Sequence, residues 1–359
     1  MPQLDGVRAV AAGMVVCFHF YRPIREYVQL GGIGVRVFFV LSGFLITGIL
    51  LRTRLATDAG SGTSALALRR FYIRRFLRIF PLYYFALALA WMTRVDGARD
   101  AIAWHAAYLS NVRFFMDNAA HPGEWGGHVS HFWSLAVEEQ FYLLWPWVIF
   151  FAPRRRLPAI ALGVAALGPV FRYVVSAATG NDITPVLLPG CIDSLALGAY
   201  LAMGMLPEFE ADPLVRPIGP AVLWGGVALF VAYLLAEYSG GWWAFRIVSF
   251  DLAIALMGLW LVAKAARGLG GPAGRFLSSR SVRYLGTISY GIYVYHLLLP
   301  AILPRLARQL GHSDLLVPLG DQTLPFLAFY GLATIIAAAI SWHAFEAPIN
   351  RLKDRFEYR

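Results

Sequence analysis

Charge is scarce in this chain. Of its 359 residues only 14% are Asp, Glu, Lys or Arg, whereas 58% are apolar; a soluble domain of this size usually carries about a quarter charged residues. So few charges cannot cover a water-exposed surface, which excludes an ordinary soluble enzyme. Cysteine is scarcer still. Cys17 and Cys191 both fall in apolar segments, so no disulfide framework can be built from them. Cys17 lies two positions before His19, about 200° round a helix, which argues against a Cys-His nucleophile pair and for plain packing. Internal repeats, low-complexity tracts and long soluble stretches are also missing. No small-residue cleavage site follows the first apolar run, and Asp5 precedes it, so that run reads as a retained span rather than a leader.

What the chain does contain is apolar length. Stretches recur at Val7 to Tyr21, Ile33 to Leu51, Phe80 to Met92, Phe132 to Phe151, Leu157 to Val175, Cys191 to Met205, Ile218 to Leu235, Ile247 to Ala263, Ile288 to Leu303 and Leu324 to Phe345. They predict an all-α polytopic membrane protein with about ten spans and a single domain over residues 1–359. About fourteen residues follow the last stretch, too few for an appended catalytic module, so the membrane domain itself is expected to carry the chemistry. Lys and Arg concentrate at Arg52 to Arg78, Arg154 to Arg156, Lys264 to Arg283 and Arg351 to Arg359. With the N-terminus inside, these all fall on cytoplasmic loops, so both termini are expected in the cytoplasm. The net charge of +10 follows from that asymmetry and from anionic lipid, and gives no case for nucleic acid.

Polar side chains inside apolar segments are costly and mark function by default. Arg8 and His19 stand eleven positions apart, within about 20° of the same helical direction and about 16 Å of rise. They place an anion clamp near one surface and a titratable imidazole above it, at mid-depth. The plain alternatives are a topogenic arginine and a core histidine bonded to a carbonyl. His131, Ser134, Glu138 and Tyr142, spaced 3, 4 and 4, form one interior stripe, with Glu139 pointing about 100° away. Ser289, Tyr293 and His296 form another, and Ser42 lies at mid-depth of the second segment. Asp193 and Asp251 gather at the outer side. On the cytoplasmic side Arg74, Arg75 and Arg78 put three guanidiniums on adjacent turns, suited to phosphate oxygens, and Glu346 lies within reach of that rim. His121, His128 and His131 lack an Asp, Glu or Cys at ligand spacing, so no metal is expected.

Leu4-Asp5-Gly6-Val7-Arg8-Ala9, Phe18-His19, Phe38-Phe39-Val40-Leu41-Ser42-Gly43, Arg74-Arg75-Phe76-Leu77-Arg78, His131-Phe132-Trp133-Ser134-Leu135-Ala136-Val137-Glu138-Glu139-Gln140-Phe141-Tyr142 and Ser289-Tyr290-Gly291-Ile292-Tyr293 occur in that order. Together they resemble the membrane-bound acyltransferase 3 family, which includes O-antigen, exopolysaccharide, Nod-factor and macrolide acylating proteins. The resemblance implies a ten-helix domain in a bacterial inner membrane, moving acyl groups, usually acetyl, from cytoplasmic acyl-CoA to a hydroxyl of a carbohydrate or related acceptor. It also implies that Arg8 and His19 match the family's first-helix pair, that Arg75 and Arg78 match its Arg-x-x-Arg element, and that Phe345, Glu346 and Pro348 match its terminal aromatic-Glu-x-Pro element. Acyl-CoA is then a donor substrate, with no permanently bound cofactor, and its phosphates are expected on Arg8, Arg74, Arg75, Arg78 and the neighbouring Glu346. His19 and Glu138 are the expected catalytic pair, and Ser42, Ser134, Tyr142, Asp193 and His296 are expected on the acceptor. His19 either deprotonates the acceptor or carries the acyl group itself. The competing reading is a transporter or flippase, which a polar-lined ten-helix bundle also suits, although no inverted repeat is present.

Overall fold

The computed structural model describes residues 1–121, 127–312 and 320–356, and every regular element among them is helical. In chain order the helices of seven or more residues are α1 (Pro2–Phe20), α2 (Leu30–Asp58), α3 (Ser64–Met92), α4 (Ser110–Ala120), α5 (Phe132–Phe151), α6 (Leu157–Thr179) and α7 (Leu188–Met203). They continue with α8 (Pro220–Tyr238), α9 (Trp243–Arg267), α10 (Gly271–Ser278), α11 (Arg280–Thr287), α12 (Ser289–Tyr295), α13 (Leu298–Gln309) and α14 (Leu324–Ser341). Their starts follow local chemistry. Pro lies in the first turn of α1, α6, α7, α8 and α14, where its missing N–H breaks no helical bond. Thr63 and Thr323 accept from the N–H groups of Leu66 and Phe326 as side-chain caps of α3 and α14.

Five helices are long and apolar enough to cross a membrane: Leu30–Asp58, Arg154–Thr179, Pro220–Tyr238, Trp243–Arg267 and Leu324–Phe356. The ten apolar segments of the sequence are therefore not ten equivalent spans. The segment from Cys191 yields a helix of 16 residues, and the segment from Ile288 to Leu303 is broken between α12 and α13. The bundle turns apolar side chains outward as well as inward: Leu143, Leu144, Leu167, Trp224, Leu235, Leu332 and Ile340 are all more than half exposed, as a lipid-facing surface requires.

The centre is built by close backbone approach. Almost all of α7 is buried, and it crosses α2 where a Cβ on Gly43 would strike the Leu195 carbonyl and one on Gly198 the Val40 carbonyl. Small residues at such a crossing let helices associate by direct packing, which replaces the hydrophobic drive absent between helices in lipid. A second close approach clasps α1 to the last quarter of the chain. Gly6 lies against Leu277 and Gly286 against Asp5; the Gln3 amide donates to the Leu269 carbonyl at 2.9 Å and accepts from its N–H at 2.6 Å.

A sealed ion network joins α2, α6, α7 and α9. Arg36 Nε meets Asp251 Oδ1 at 2.7 Å, and Arg172 Nη1 meets Asp193 Oδ2 at 2.8 Å. Arg172 Nε lies 3.8 Å from Asp251 Oδ2 and so links the two pairs. The carbonyls of Gly190 and Val248 accept from Arg172 at 2.7 and 3.0 Å and that of Pro185 from Arg36 at 3.3 Å, while Arg36 Nη1 and Arg172 Nε have no hydrogen-bond partner among the described residues. Two cations meet two anions, all buried. Arg36 and Arg172 are interior residues of α2 and α6.

Candidate active site

α1, α2, α3, α5 and α12 enclose a cavity of about 110 Å³, room for a few waters or a small acyl group and far too little for a nucleotide. Arg8, Arg75 and Arg78 all line it, from the second turn of α1 and from adjacent turns of α3. Facing them from α2 and α5 are Ser42, Ser134, Glu138, Glu139 and Tyr142, and from α12 Ser289 and Tyr293. The 3, 4, 4 spacing on α5 brings most of its stripe to this one space.

Most of these groups hold one another. Ser42 donates to Glu138 Oε1, and Tyr142 donates to the same oxygen at 3.3 Å. The Arg75 guanidinium lies over the Tyr142 ring, 5.1 Å from its centroid. Ser134 Oγ and Tyr293 Oη are 2.6 Å apart, and Tyr293 also donates to the His131 carbonyl at 3.0 Å. Glu139 differs: its Oε1 is buried with no hydrogen-bond partner among the described residues. It also lines an apolar groove of about 730 Å³ between α3, α5 and the C-terminal turn, which shares Arg75 and Tyr142 with the cavity.

His19 stands behind this cavity. It occupies the last turn of α1, which ends at Phe20. Its Nδ1 lies 2.9 Å from the Val15 carbonyl and 3.3 Å from His296 Nε2. His296 is fully buried at the break between α12 and α13, with Nδ1 2.6 Å from the Tyr293 carbonyl. The His131 ring packs on it with centroids 4.7 Å apart, and His131 Nε2 reaches the Val294 carbonyl at 3.1 Å. The break explains the clustering: it frees carbonyls at the end of α12, and imidazoles satisfy two of them. Tyr293 connects the two parts of the site, since its ring lines the cavity and its carbonyl holds His296.

Three other residues singled out in the sequence do not line this cavity, although Glu346 stays within electrostatic reach of Arg78, which does. Asp193 is consumed by Arg172 in the sealed network and lines none of this cavity. Arg74 donates to the Lys353 and Phe356 carbonyls at 2.9 and 3.3 Å, tying α3 to the C-terminal turn. Glu346, in the π-helical turn Trp342–Glu346, accepts from Ser341 at 2.9 Å, and Ser341 accepts from Tyr295 at 3.2 Å. Conversely, Glu139 and Tyr290 line the site although sequence reasoning gave them no role, and His131, read only as part of the interior stripe, packs against His296. The adjacent Glu138 was the signal for Glu139, since a cavity wider than one helical stripe reaches both. No group of three His, Cys, Asp or Glu that could hold a metal occurs among the described residues. His121 is exposed, and the side chain of His128 lies outside the described residues. His105, on the short connection before α4, is buried with neither ring nitrogen bonded among the described residues. Burial pushes its imidazole down to about 4, which keeps it neutral.

A family model described as an acyltransferase domain matches residues 1–343, ending just short of Glu346. Among curated proteins the chain is similar to the peptidoglycan O-acetyltransferase OatA of Listeria monocytogenes, 28% identical over 98% of this chain and 56% of that protein. It is similar to the putative peptidoglycan O-acetyltransferase YrhL of Bacillus subtilis, 28% identical over 98% and 55%. The O-acetyltransferase OatA of Staphylococcus aureus is 27% identical over 82% and 50%. The chain thus spans about half the length of these relatives. No solved structure matches it.

Proposed function

Because the chain belongs to the acyltransferase-domain family, we propose that it is a multi-pass O-acyltransferase of a bacterial inner membrane. It moves an acyl group, acetyl in the simplest case, from cytoplasmic acyl-CoA to a hydroxyl of a carbohydrate acceptor. The supporting observation is the gathering of Arg8, Arg75 and Arg78 on one small cavity that Tyr293 joins to the His19–His296 pair. Three cations around a space too small for a nucleotide suit phosphates held at the mouth, with a slender arm entering. Ten membrane crossings with both termini cytoplasmic put those arginines on the side where acyl-CoA is found.

In the transfer, the donor phosphates rest on the arginines and the thioester passes Tyr293 to His19. His19 takes the proton of the acceptor hydroxyl as its oxygen attacks the thioester carbonyl. The carbon–sulfur bond then breaks, and the thiolate takes up that proton to leave as free CoA. Glu138, fixed by Ser42 and Tyr142, orients the acceptor, and Glu139 offers a further oxygen to a second hydroxyl. The names of the relatives point to a glycan acceptor such as peptidoglycan. Incubating purified protein with acetyl-labelled acetyl-CoA and glycan fragments tests the reading: acceptor-dependent CoA release with label on the glycan is expected. Vesicle uptake of a glycan with no CoA release would overturn it in favour of transport.

A further inference from the structure

Backbone carbonyls can only accept, so a ring nitrogen that faces one carries its hydrogen. That rule fixes the cluster behind the cavity. His296 Nδ1, 2.6 Å from the Tyr293 carbonyl, is protonated, and its Nε2 therefore presents a lone pair. His19 Nδ1, 2.9 Å from the Val15 carbonyl, is also protonated, and this hydrogen forks toward His296 Nε2 at 3.3 Å. His19 Nε2 is left with the lone pair and with no partner among the described residues.

From this geometry we infer that His296 is a positioning residue: it locks His19 in the Nδ1–H tautomer, so that Nε2 of His19 is the atom that performs the acyl-transfer chemistry. The inference rests on the proposed acyltransfer through His19 and adds which nitrogen acts and what holds it. A ring that can flip offers the wrong nitrogen half the time, and a base must be oriented before it is useful. Here a neutral imidazole, rather than a carboxylate, does the orienting. It remains an acceptor because the helix break delivers the Tyr293 carbonyl to its other nitrogen. His131, bonded to the next carbonyl and packed on the His296 ring, keeps that ring from turning. In the reaction the acceptor hydroxyl proton passes to His19 Nε2, and the resulting imidazolium keeps its Nδ1–H on His296.

Three substitutions separate positioning from packing. His296→Phe preserves bulk but removes the lone pair; it is expected to lower kcat for acetyl transfer at least tenfold while KM for acetyl-CoA stays within twofold. In His296→Gln the amide oxygen can stand where Nε2 stood, so kcat is expected to recover at least threefold relative to Phe. His296→Asn can still bond the Tyr293 carbonyl but falls short of His19, and its loss is expected to match that of Phe. Equal kcat in the Gln and Asn variants, or normal kcat in the Phe variant, overturns the inference. Should the Phe variant fail to accumulate in membranes, the Gln and Asn comparison decides alone. His19→Ala measured alongside keeps the two readings apart. If it turns over normally, acyltransfer through His19 is wrong. If it is dead while His296→Phe is active, only the positioning role falls.

Discussion

Two polar regions lie inside this apolar bundle, and they are built on opposite terms. In the network of Arg36, Asp251, Arg172 and Asp193 every charge has an opposite partner, and carbonyls accept three further guanidinium hydrogen bonds, with only Arg36 Nη1 and Arg172 Nε left unbonded among the described residues. The cavity of Arg8, Arg75 and Arg78 holds three cations facing Glu138 and Glu139, with Arg8 also meeting Asp5 Oδ1 at 3.2 Å, and one oxygen of Glu139 lacks a partner among the described residues. A buried ion pair stabilises only when geometry and hydrogen bonds offset desolvation, and the first region balances two cations with two anions from within the protein. The second is left incomplete. Intramembrane charge therefore divides by whether it is satisfied: the closed set holds α2, α6, α7 and α9 together, and the open set awaits an anionic, hydroxyl-bearing visitor.

Breaking the closed region has the largest expected effect. Arg172→Leu leaves Asp193 and Asp251 short of a cation, a loss of about 3–5 kcal/mol for a broken buried pair, enough to prevent accumulation in the membrane. Immunoblots of membrane fractions measure it, and combining Arg172→Leu with Asp193→Leu should recover part of the protein. Normal levels of the single variant would show the network to be dispensable. The site should respond in the reverse manner. His19→Ala is expected to insert normally, since it removes a polar group from the bundle, yet to lose at least about a hundredfold in acyl transfer at matched membrane amounts.

Smaller effects grade the cavity itself. Each charge-assisted phosphate contact contributes about 1.5–3 kcal/mol, so Arg75→Ala with Arg78→Ala should raise the acetyl-CoA concentration for half-maximal rate at least tenfold. Donor titration of purified protein reads this directly, and an unchanged midpoint would make these arginines topogenic only. Ser42→Ala removes one of the two hydroxyls on Glu138 while Tyr142 remains, and a neutral hydrogen bond contributes about 1 kcal/mol. A rate lowered about fivefold with unchanged protein level is expected; a collapse in level would move Ser42 to the structural side of the comparison.

Much of the open region was legible in the chain, because helical spacing carries it. Arg75 with Arg78, and Ser134 with Glu138 and Tyr142, reach one cavity for the same 3.6-residue reason that made them stand out. Arg8 and His19 also share a side of α1, with the imidazole in its last turn. The closed region was not legible. Asp193 looked like a free outer carboxylate since nothing in its own segment shows Arg172 folding back from the preceding helix. Arg36 and Arg172 gave no sign of their partners for the same reason: a pairing across helices leaves no local trace. The break at His296 was hidden too, because Ile288 to Leu303 reads as one apolar run, and with it went the meeting of three histidines. Glu139 was set aside on a single-stripe argument that a cavity bounded by several helices does not obey.

The separation of His19 and His296 along the chain, 277 positions, bears on biogenesis. A ribosome releases α1 early, and its partners α10, α11 and α12 emerge only when three quarters of the chain has been made. Until then the backbone notch at Gly6 has no Leu277 to receive and Gln3 has no Leu269 to bind. The nascent protein thus lacks the contact of His19 with His296 while its bundle assembles, and gains it only with the arrival of the last quarter. That same seam offers a natural place to cut: two separately translated pieces, divided in the loop after α8, would have to find each other in the bilayer before any turnover could begin.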